Sequence, residues 1–436
     1  MSISSSMNAG VAGLRANATR LATISDNIAN STTHGYRRAS TTFHSMVVGS
    51  GVVGQGSYSA GGVRTSTMRL VDQGGSLIGT QNATDISLSG RGFLPVTTEL
   101  GAQLQDGTAP LLLAATGSFR QDANGYLRDA SGNTLMGWPA NTDGTVPEYP
   151  RDSASGLRPI RIEVNQQAFS ETTKINFGVN LPASATLPGA SGETLRMSVE
   201  FYNSLGIPEM IDVALTPNVG PPENTWRMSM EHAQTGAPLG SYDLVFDNSP
   251  GKGGTLASIS DASGGGLGDY DPETGSIKLD VGPQEIDFFI GRYGEAAGLA
   301  QKGTSFSPAG IEQNGSGAGN LIGLMVDANG NLDAVYDQGF RRTLFRIPIV
   351  DVPNPNGLTS MNSQTFQLSR DSGSFFLWDA GDGPVGEFVG FALQESATDV
   401  AAELTGLIQT QRAYSSNAKV IQTVDEMFQE TTNIKR

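Results

Sequence analysis

Cysteine is absent from this chain of 436 residues. Its absence excludes a disulfide scaffold, thiol catalysis and every zinc site that uses cysteine. Histidine is scarce as well, and the three histidines lie far apart in the sequence, at His34, His44 and His232. A metal site with two or three imidazoles would need these positions to converge. We therefore expect His34 and His44 to lie in polar turn and arm segments.

Long apolar runs are also missing. No stretch approaches the roughly 18 apolar residues that a membrane-spanning helix needs. The first residues, MSISSSMNAGVAGLRANATRLA, have neither the basic segment nor the continuous apolar core of a signal peptide. We therefore expect no membrane insertion, and we expect export, where it occurs, to use a route without a cleaved signal peptide.

Charge is unevenly distributed along the chain, whose formal net charge is −16. The first seventy residues hold six arginines and a single acid, Asp26, whereas the middle of the chain is strongly acidic. An acidic surface repels phosphate groups. The composition therefore argues against nucleic acid and anionic membranes as main partners.

The N-terminal thirty residues have the apolar spacing of an amphipathic helix, with intervals of three, four and seven. The residues on this stripe are Met7, Val11, Leu14, Leu21 and Ile28. The pattern stops inside ISDNIANSTTHGYRRAS, residues 24–40, where polar turn residues replace it. We predict a helix over residues 1–30 that ends at this turn.

The C-terminal segment mirrors the first, with a helix predicted over residues 395–436. Thr398 followed by Asp399 makes a suitable N-terminal cap with an acid in the first turn. The residues on its apolar stripe are Val400, Leu404, Leu407, Tyr414, Ile421, Val424 and Phe428.

Neither terminal helix is expected to be stable alone. The conformational entropy lost on ordering some 25 residues exceeds the free energy gained by burying five apolar side chains. The period of both stripes favours helix-on-helix packing. The pattern leaves open whether the partner is another copy of the chain or the other end of the same chain in an ordinary helical hairpin.

Hairpin signals dominate the middle of the chain, which is rich in glycine. The near-duplicates DANGYL (122–127) and DANGNL (327–332) each place Asn-Gly where a tight turn with positive φ joins two strands. They are interpreted as two hairpins of one β-domain. The stretch 146–299 between them has its own strand alternation, as in RMSVEFYNS. The sequence therefore predicts a second β-domain inserted into the first.

Three short motifs test whether the chain is an enzyme. GSGVVG (49–54) fits a dinucleotide-loop pattern but lacks the strand-to-helix context, so a glycine-rich β-bend is favoured. DYDPETGSIKLD (269–280) is only loosely like a calcium loop because Thr274 replaces the turn glycine, and an acidic β-turn is favoured. DSG (371–373) has no second copy with which to share a proton. We predict no catalysis, no cofactor and no metal site.

Five segments, in order, resemble blocks of the bacterial flagellar rod and hook axial proteins. They are SDNIANSTTHGYRR, ATDISLSGRGFLPV, TGSFRQDANGYLRDASGNTLMGW, FRIPIVDVPNPNGLTSMNSQTFQLSRDSG and LQESATDVAAELTGLIQTQRAYSSNAKVIQTVDEM. The family's signature positions correspond to Asn27, Asn30, Thr33, Gly35 and Tyr36 in the first block and Gln411, Arg412, Tyr414 and Asn417 in the last. Two departures from the family pattern, Pro95 and the segment PIVDVPNP, bear on local strand geometry.

The resemblance implies a multidomain α+β fold, with paired N- and C-terminal helices and mainly-β domains nested by insertion. The expected parts are terminal helices that line the channel of a tube (1–30 and 395–436), a connecting arm (31–70 and 365–394), a β-domain (71–145 and 300–364) and an inserted outer β-domain (146–299).

By the same resemblance, the chain is expected to be a structural subunit that polymerises into the flagellar hook, the flexible extracellular joint that transmits motor torque to the filament. The implied partners are other copies of the chain, the distal rod protein, the hook cap, the hook–filament junction proteins and the flagellar export apparatus. The long insertion favours the hook over the shorter distal rod proteins. A secreted β-rich adhesin or binding module would also account for the acidic middle, but it gives no reason for matched terminal helices.

Overall fold

The computed structural model describes residues 3–47, 60–104, 109–141, 144–163, 168–262 and 269–434. The chain forms two compact units. The first consists of Met1–Val164, Gly323–Ala334 and Arg341–Arg436, and the second of Asn165–Ile322 and Val335–Phe340. The motif GSGVVG lies outside the described residues.

Helices occupy both ends of the chain, as predicted. The terminal helices are α1 (Ile3–Ala29) and α3 (Val400–Ile434). The short helix α2 (Glu99–Gln103) lies between strands of the first unit. Within the described ranges, no helix combines the length and the apolar character needed to cross a bilayer. The predicted combination of paired terminal helices and mainly-β domains is confirmed.

The rest of the described chain is built from short strands. Those before the second unit are β1 (Ala39–Val47), β2 (Ala60–Arg69), β3 (Leu77–Gly79), β4 (Asp85–Ser89), β5 (Leu94–Thr97), β6 (Leu112–Ala114), β7 (Thr116–Ser118), β8 (Arg120–Gln121), β9 (Leu127–Arg128), β10 (Thr134–Pro139) and β11 (Arg158–Pro159). Those that follow up to residue 319 are β12 (Ala168–Ser170), β13 (Lys174–Leu181), β14 (Leu195–Tyr202), β15 (Pro208–Pro217), β16 (Thr225–His232), β17 (Pro238–Phe246), β18 (Leu256–Asp261), β19 (Tyr270–Asp271), β20 (Ser276–Val281), β21 (Gln284–Phe289), β22 (Leu299–Gln301), β23 (Ser307–Gln313) and β24 (Ser316–Gly319). The last group is β25 (Leu321–Val326), β26 (Asn331–Tyr336), β27 (Arg341–Arg346), β28 (Ile349–Asp351), β29 (Thr359–Ser360), β30 (Thr365–Gln367), β31 (Phe376–Trp378), β32 (Glu387–Gly390) and β33 (Ala392–Gln394).

A sheet of eleven strands provides the main core of the first unit, along the path β25-β26-β27-β10-β5-β6-β30-β29. Strands from both sides of the insertion meet in it, because β6 pairs with β30 and β10 with β27. Large side chains from distant parts of the sequence pack together here, among them Phe93, Leu113, Trp138, Val350 and Phe366.

Both departures from the family pattern are accommodated as strands. Pro95 lies in β5 opposite Leu113 and is buried. In PIVDVPNP, β28 pairs with β31, and Ile349 and Val350 are fully buried. The local backbone is therefore extended at both places.

The two DANG segments form the same turn, and both lie in the eleven-stranded sheet of the first unit, as predicted. In each, the glycine N–H donates to the carbonyl of the aspartate, at 3.0 Å for Gly125 and Asp122 and 3.1 Å for Gly330 and Asp327. Only the glycines have positive φ, 88° and 81°. The aspartate side chain completes each turn by accepting backbone N–H groups, for instance Asn331 N at 2.7 Å from Asp327 Oδ1.

The second unit has a core between two sheets. One is the antiparallel meander β14-β15-β16-β17-β18, and the other has six strands along the path β19-β20-β21-β13-β22. Alternate residues of these strands point inward, as the two-residue period requires. Their buried aromatic and aliphatic side chains include Phe177, Phe201, Trp226, Leu244 and Phe288. The predicted acidic turn of DYDPETGSIKLD joins β19 to β20, where Asp271 Oδ1 accepts Glu273 N at 2.9 Å.

The units differ in extent from the ranges expected by resemblance. The second unit includes residues 300–322, because β22 and β23 pair with β13 and β24 pairs with β12. Residues 365–394, expected in the arm, pair instead with strands of the first unit through β6, β28, β4 and β3. The antiparallel hairpin β1–β2 is the part of the expected arm that lies along α1.

Candidate functional site

Helices α1 and α3 pack against each other in antiparallel register through small residues. A Cβ placed on Gly13 would lie 2.9 Å from Asn417 Nδ2, and one on Gly10 would lie 3.1 Å from Ile421 Cγ1. Farther along, a Cβ on Gly406 would lie 3.5 Å from Ile24 Cδ1. The missing glycine side chains let the two backbones approach closely.

Asn27 is the polar centre of the helix pair and is only 1% exposed. Its Nδ2 donates to Ala39 O at 2.8 Å and to Glu403 Oε1 at 2.9 Å. Its Oδ1 accepts Ala39 N at 2.9 Å and the Tyr36 hydroxyl at 3.1 Å. Glu403 also lies 3.5 Å from Arg38 Nη1. One side chain therefore joins α1, the start of β1 and α3.

The turn after α1 brings the other N-terminal motif residues together. Thr33 N donates to Asn30 O at 3.1 Å, and Tyr36 N donates to Thr33 O at 3.3 Å. Gly35 has φ of 72°, which favours glycine, and its N–H donates to Gln394 O at 2.8 Å. The motif thus fixes a tight turn against the strand that precedes α3.

Tyr36 lies under charged groups at this turn. Its hydroxyl is 3.0 Å from Asp26 Oδ2, and the Arg69 guanidinium lies 5.0 Å from its ring centre. Burial, followed by the hydrogen bond to Asp26, raises the pKa of Tyr36 to about 12. The hydroxyl therefore stays protonated and able to donate over the whole neutral range.

The N-terminus of α3 differs from the prediction at its cap. Asp399 Oδ1 accepts Ala401 N at 3.0 Å and Ala402 N at 3.1 Å. Thr398 Oγ1 has no hydrogen-bond partner. The capping residue is therefore Asp399 and not Thr398, because a carboxylate one position later reaches the first free N–H groups of the helix.

The hairpin β1–β2 lies along α1. Thr23 Oγ1 and Thr41 Oγ1 are 2.8 Å apart, and a Cβ on Gly62 would lie 3.0 Å from Ala12 Cβ. Arg20 lies over Phe43, 5.7 Å from its ring centre. His44 is exposed in β1, whereas His34 is exposed in the turn after α1, as expected for polar segments.

Most of the large apolar residues predicted to drive assembly keep part of their surface exposed. Val424 is buried and Ile421 packs against Gly10, whereas Val11, Leu14, Leu21, Ile28 and Leu407 are partly exposed. The exposed large apolar residues of the two helices are Met7, Val400, Leu404, Ile408, Tyr414, Val420, Met427 and Phe428. The helix pair therefore has apolar surface on its outer faces.

Sequence reasoning missed the buried stripe between the helices. On α1 it consists of Gly10, Gly13, Ala16, Asn17, Ile24 and Asn27. Small residues at intervals of three and four were its signal, but a search restricted to large apolar residues passes over them. Among the C-terminal motif residues, Asn417 faces Gly13, while Gln411, Arg412 and Tyr414 are exposed.

Over the described residues, no group of three or more His, Asp or Glu side chains is placed to hold a metal ion. The geometry at the termini is that of a packing surface, with a buried hydrogen-bonded centre and apolar flanks. It contains no arrangement of a nucleophile, a base and an orienting group.

Both ends match flagellar family models. The model described as "Flagella basal body rod protein" matches residues 7–37, and that described as "Flagellar basal body rod FlgEFG protein C-terminal" matches residues 390–434. The matched ends coincide with α1 and its turn and with α3. Fold and termini together define a structural subunit of the flagellar axial class.

Comparison over the whole chain identifies the family. The chain is 32% identical to the flagellar hook protein FlgE of Brucella suis biovar 1 (strain 1330) and 31% identical to that of Rhizobium meliloti (strain 1021), with 100% of each chain covered. The chain belongs to the flagellar hook protein family. A solved structure of the Helicobacter pylori flagellar hook protein FlgE2 matches with a TM-score of 0.46 and 12% identity, covering 74% of this chain and 99% of that one.

The prediction of a non-catalytic structural subunit of the bacterial flagellar hook is confirmed by these full-length matches. Both of these relatives, which match over their full length, are hook proteins, which supports the hook over the rod and adhesin alternatives. The chain therefore functions in motility as a component of the hook.

Proposed function

We propose that the terminal helices are the assembly element of the subunit. The observation that carries this proposal is the separation of two surfaces on the helix pair. Small residues and Asn27 make the contact within the chain, while large apolar side chains such as Leu404, Tyr414 and Phe428 remain exposed. Neighbouring copies would bury these side chains around a central channel, and each buried side chain would contribute about 2 kcal/mol.

The separation of the intramolecular contact from the exposed apolar surface also suggests that the helices become ordered only when subunits assemble. The intramolecular contact buries few large side chains, so the helices gain little free energy from each other to offset their conformational entropy. We infer that they are marginal in the monomer, travel unfolded through the flagellar type III export apparatus, and order when they pack into the tube.

The remaining parts have proposed mechanical roles. The arm is inferred to permit shear between the channel layer and the outer domains as a curved tube rotates. The permissive positions are Gly61 and Gly62 in β2, together with Gly49, Gly51, Gly54 and Gly56, which lie outside the described residues. The second unit is inferred to form the outer surface, where its contacts set curvature. Replacing several of the arm glycines by alanine should stiffen the hook, and unchanged bending stiffness would contradict this role.

We also propose that contacts with the distal rod protein, the hook cap and the hook–filament junction proteins use the terminal helices. The support is that family models for rod proteins match this chain at the same two ends. Where the hook meets a neighbouring part of the flagellum, the terminal helices of that part's subunits would occupy the positions that hook subunits occupy elsewhere.

The decisive experiment compares the full-length chain with a version trimmed to residues 31–394. Circular dichroism and sedimentation are recorded while salt is added to promote assembly. We expect only the full-length chain to form tubes and to gain helix as it does so. If the trimmed chain forms the same tubes, the terminal helices are not the assembly element. If both remain monomeric and the ends are already helical, assembly through them is contradicted.

A further inference from the structure

Arg37 is a buried guanidinium without a close counter-charge. It is 7% exposed, and its Nε has no hydrogen-bond partner. Among the described residues, no carboxylate oxygen lies within 4.0 Å of its nitrogens. The nearby carboxylate of Asp72 acts on it from a greater distance, while burial lowers the pKa of Arg37 to about 10. Buried arginines are normally paired, because an uncompensated charge away from water is costly.

Arg37 lines a cavity of about 330 Å³ in the first unit. Gln394 lines it too, is 8% exposed, and has an Oε1 without a hydrogen-bond partner. Asp72 also lines the cavity, where its exposed carboxylate lies beyond ion-pair distance of Arg37, and two other polar groups there are already engaged. Arg91 Nε donates to Asp351 at 2.7 Å, and Asn356 Oδ1 accepts Val71 N at 2.7 Å. The cavity therefore retains one cationic group that lacks a partner.

The chemistry that fits this cavity is a carboxylate. A guanidinium presents its N–H groups in a planar fork that matches the two oxygens of a carboxylate. Phe93 and three glycines, Gly74, Gly90 and Gly92, are also part of the lining, and the glycines leave room for an incoming side chain. A Cβ on Gly74 would lie 2.5 Å from Arg37 Nη1, so a larger residue at that position would displace the guanidinium.

Carboxylates suited to this role lie at the far end of α3. Asp425, Glu426 and Glu430 are exposed, and we call them the acidic tip. Gly10 faces Ile421; α1 begins at Ile3, seven residues before Gly10, whereas α3 continues for thirteen residues beyond Ile421 to Ile434, so the last turns of α3 extend beyond Ile3.

The cavity lies at the opposite end of the same helix. Ala397 N, just before α3, donates to Tyr36 O at 2.9 Å, which places Arg37 beside the N-terminus of α3. The thirty residues from Val400 to Glu430 span about 45 Å in a helix. The acidic tip therefore cannot reach the cavity of its own chain. Complementary groups at opposite ends of one rod join copies head to tail, which is the geometry that builds filaments.

We propose that the cavity at Arg37 receives a carboxylate of the acidic tip from a second copy of this chain. This inference rests on assembly through the terminal helices, as proposed above, and adds a specific axial contact to it. The contact supplies the counter-charge that Arg37 lacks in the monomer.

The test uses full-length chains carrying Arg37→Gln, a neutral tip (Asp425→Asn, Glu426→Gln, Glu430→Gln), or both changes. The critical concentration for tube assembly and the melting temperature of the monomer are measured for each. Arg37→Gln is expected to leave the melting temperature unchanged or to raise it, because it removes an unpaired buried charge. Each change should raise the critical concentration by about tenfold or more. The combined variant should show no larger effect than either change alone.

Two matched controls accompany these variants. Lys252→Gln removes an exposed charge from the second unit, outside the terminal helices, and should leave the critical concentration unchanged. Asp72→Asn removes the nearest carboxylate of the same chain and should not reproduce the effect of Arg37→Gln. If it does reproduce that effect, Arg37 is paired within its own subunit and the proposal is wrong.

Other results would also overturn the proposal. One is a lower melting temperature for Arg37→Gln with an unchanged critical concentration, as expected if water or a small anion satisfies the guanidinium. Another is a combined variant whose fold-increase in critical concentration equals the product of the two separate fold-increases, because the two sites would then act independently. If Arg37→Gln does not fold, the neutral tip alone decides, because its residues are exposed. Tubes formed by the 31–394 chain would instead refute assembly through the helices, so the two failures are distinguishable.

Discussion

Asn27 and Glu403 are 376 positions apart in the sequence, yet their side chains are joined by a hydrogen bond of 2.9 Å. Both are buried, and the bond lies where α1 ends and α3 begins. It holds the two ends of the chain in one register. The arrangement makes one amide side chain a hydrogen-bonded link between the two helices.

Replacing Asn27 by alanine should be severely destabilising. The change leaves both backbone groups of Ala39 and the Glu403 carboxylate without their partner, at a cost of about 3 kcal/mol or more. Where the helices order only in the tube, the cost should appear as a critical concentration raised by more than about a hundredfold. Asn30→Ala, which removes hydrogen bonds to Asp26 within the same helix end, is the control and should cost less than about 1 kcal/mol. Equal effects of the two changes would contradict the assigned role of Asn27.

Two glycines of the helix pair should respond differently to replacement by alanine. Gly406→Ala places a Cβ in ordinary contact with Ile24 and should stabilise α3 by about 1 kcal/mol through helix propensity. Gly13→Ala places a Cβ 2.9 Å from Asn417 Nδ2, so the strained contact should offset this gain. Thermal melting of assembled tubes, followed by circular dichroism, measures both. A larger stabilisation for Gly13→Ala than for Gly406→Ala would show that the two helices do not pack in this register.

Tyr36 should make the helix pair sensitive to alkaline conditions. Its pKa of about 12 in the folded chain lies above the ordinary value of 10.0, so the folded state retains a proton that the unfolded state loses. The stability contributed by this proton is fully present below pH 10 and is lost as the pH rises toward 12. At pH 7, Tyr36→Phe should lower the free energy of unfolding by about 1 kcal/mol, because the hydrogen bonds of the hydroxyl are missing. Between pH 10 and 12, the free energy of unfolding of Tyr36→Phe should fall less than that of the wild type. The measurement is urea denaturation of assembled tubes at each pH, followed through the helical circular dichroism signal. The pKa values of Tyr242 and Tyr270 are also raised to about 12. Their contribution to the pH dependence of stability is the same in the wild type and in Tyr36→Phe, so it cancels in the comparison.

Removing the second unit should alter tube shape and preserve assembly. Ala168 in β12 pairs with Gly319 in β24, so the chain enters and leaves the unit at neighbouring points. Residues 165–322 can therefore be replaced by a short linker, with 335–340 shortened to a turn. Electron microscopy should show tubes that form at an ordinary concentration but lack the normal superhelical curvature. Loss of assembly altogether would contradict the proposed outer role of this unit.

Local features of the fold were predictable from the sequence. The ends of α1 and the two Asp-Ala-Asn-Gly turns depend on residues within a few positions of each other, such as Gly35 and Gly125, whose positive φ favours glycine. The extent of the second unit was not predictable, because β22 and β23 belong to it through pairing with β13, more than a hundred residues earlier.

The helix contact shows the same limit. Large apolar residues predicted two amphipathic helices, and both are present. The face on which they meet depends on Gly10, Gly13 and Gly406, whose role appears only when the partner helix is in place. The burial of Arg37 is equally non-local, since the residues around it come from four separate segments of the chain.

The segments that connect the helix pair to the strands of the first unit are hydrogen-bonded side by side. Gly35 N donates to Gln394 O at 2.8 Å, and Ala397 N donates to Tyr36 O at 2.9 Å. Two stretches of backbone, one from each end of the chain, therefore run next to each other and are joined by these two hydrogen bonds. Tension applied to either helix is shared between both connections before it reaches the β-strands. A joint that rotates under load gains from this arrangement, because neither segment has to sustain the full force on its own.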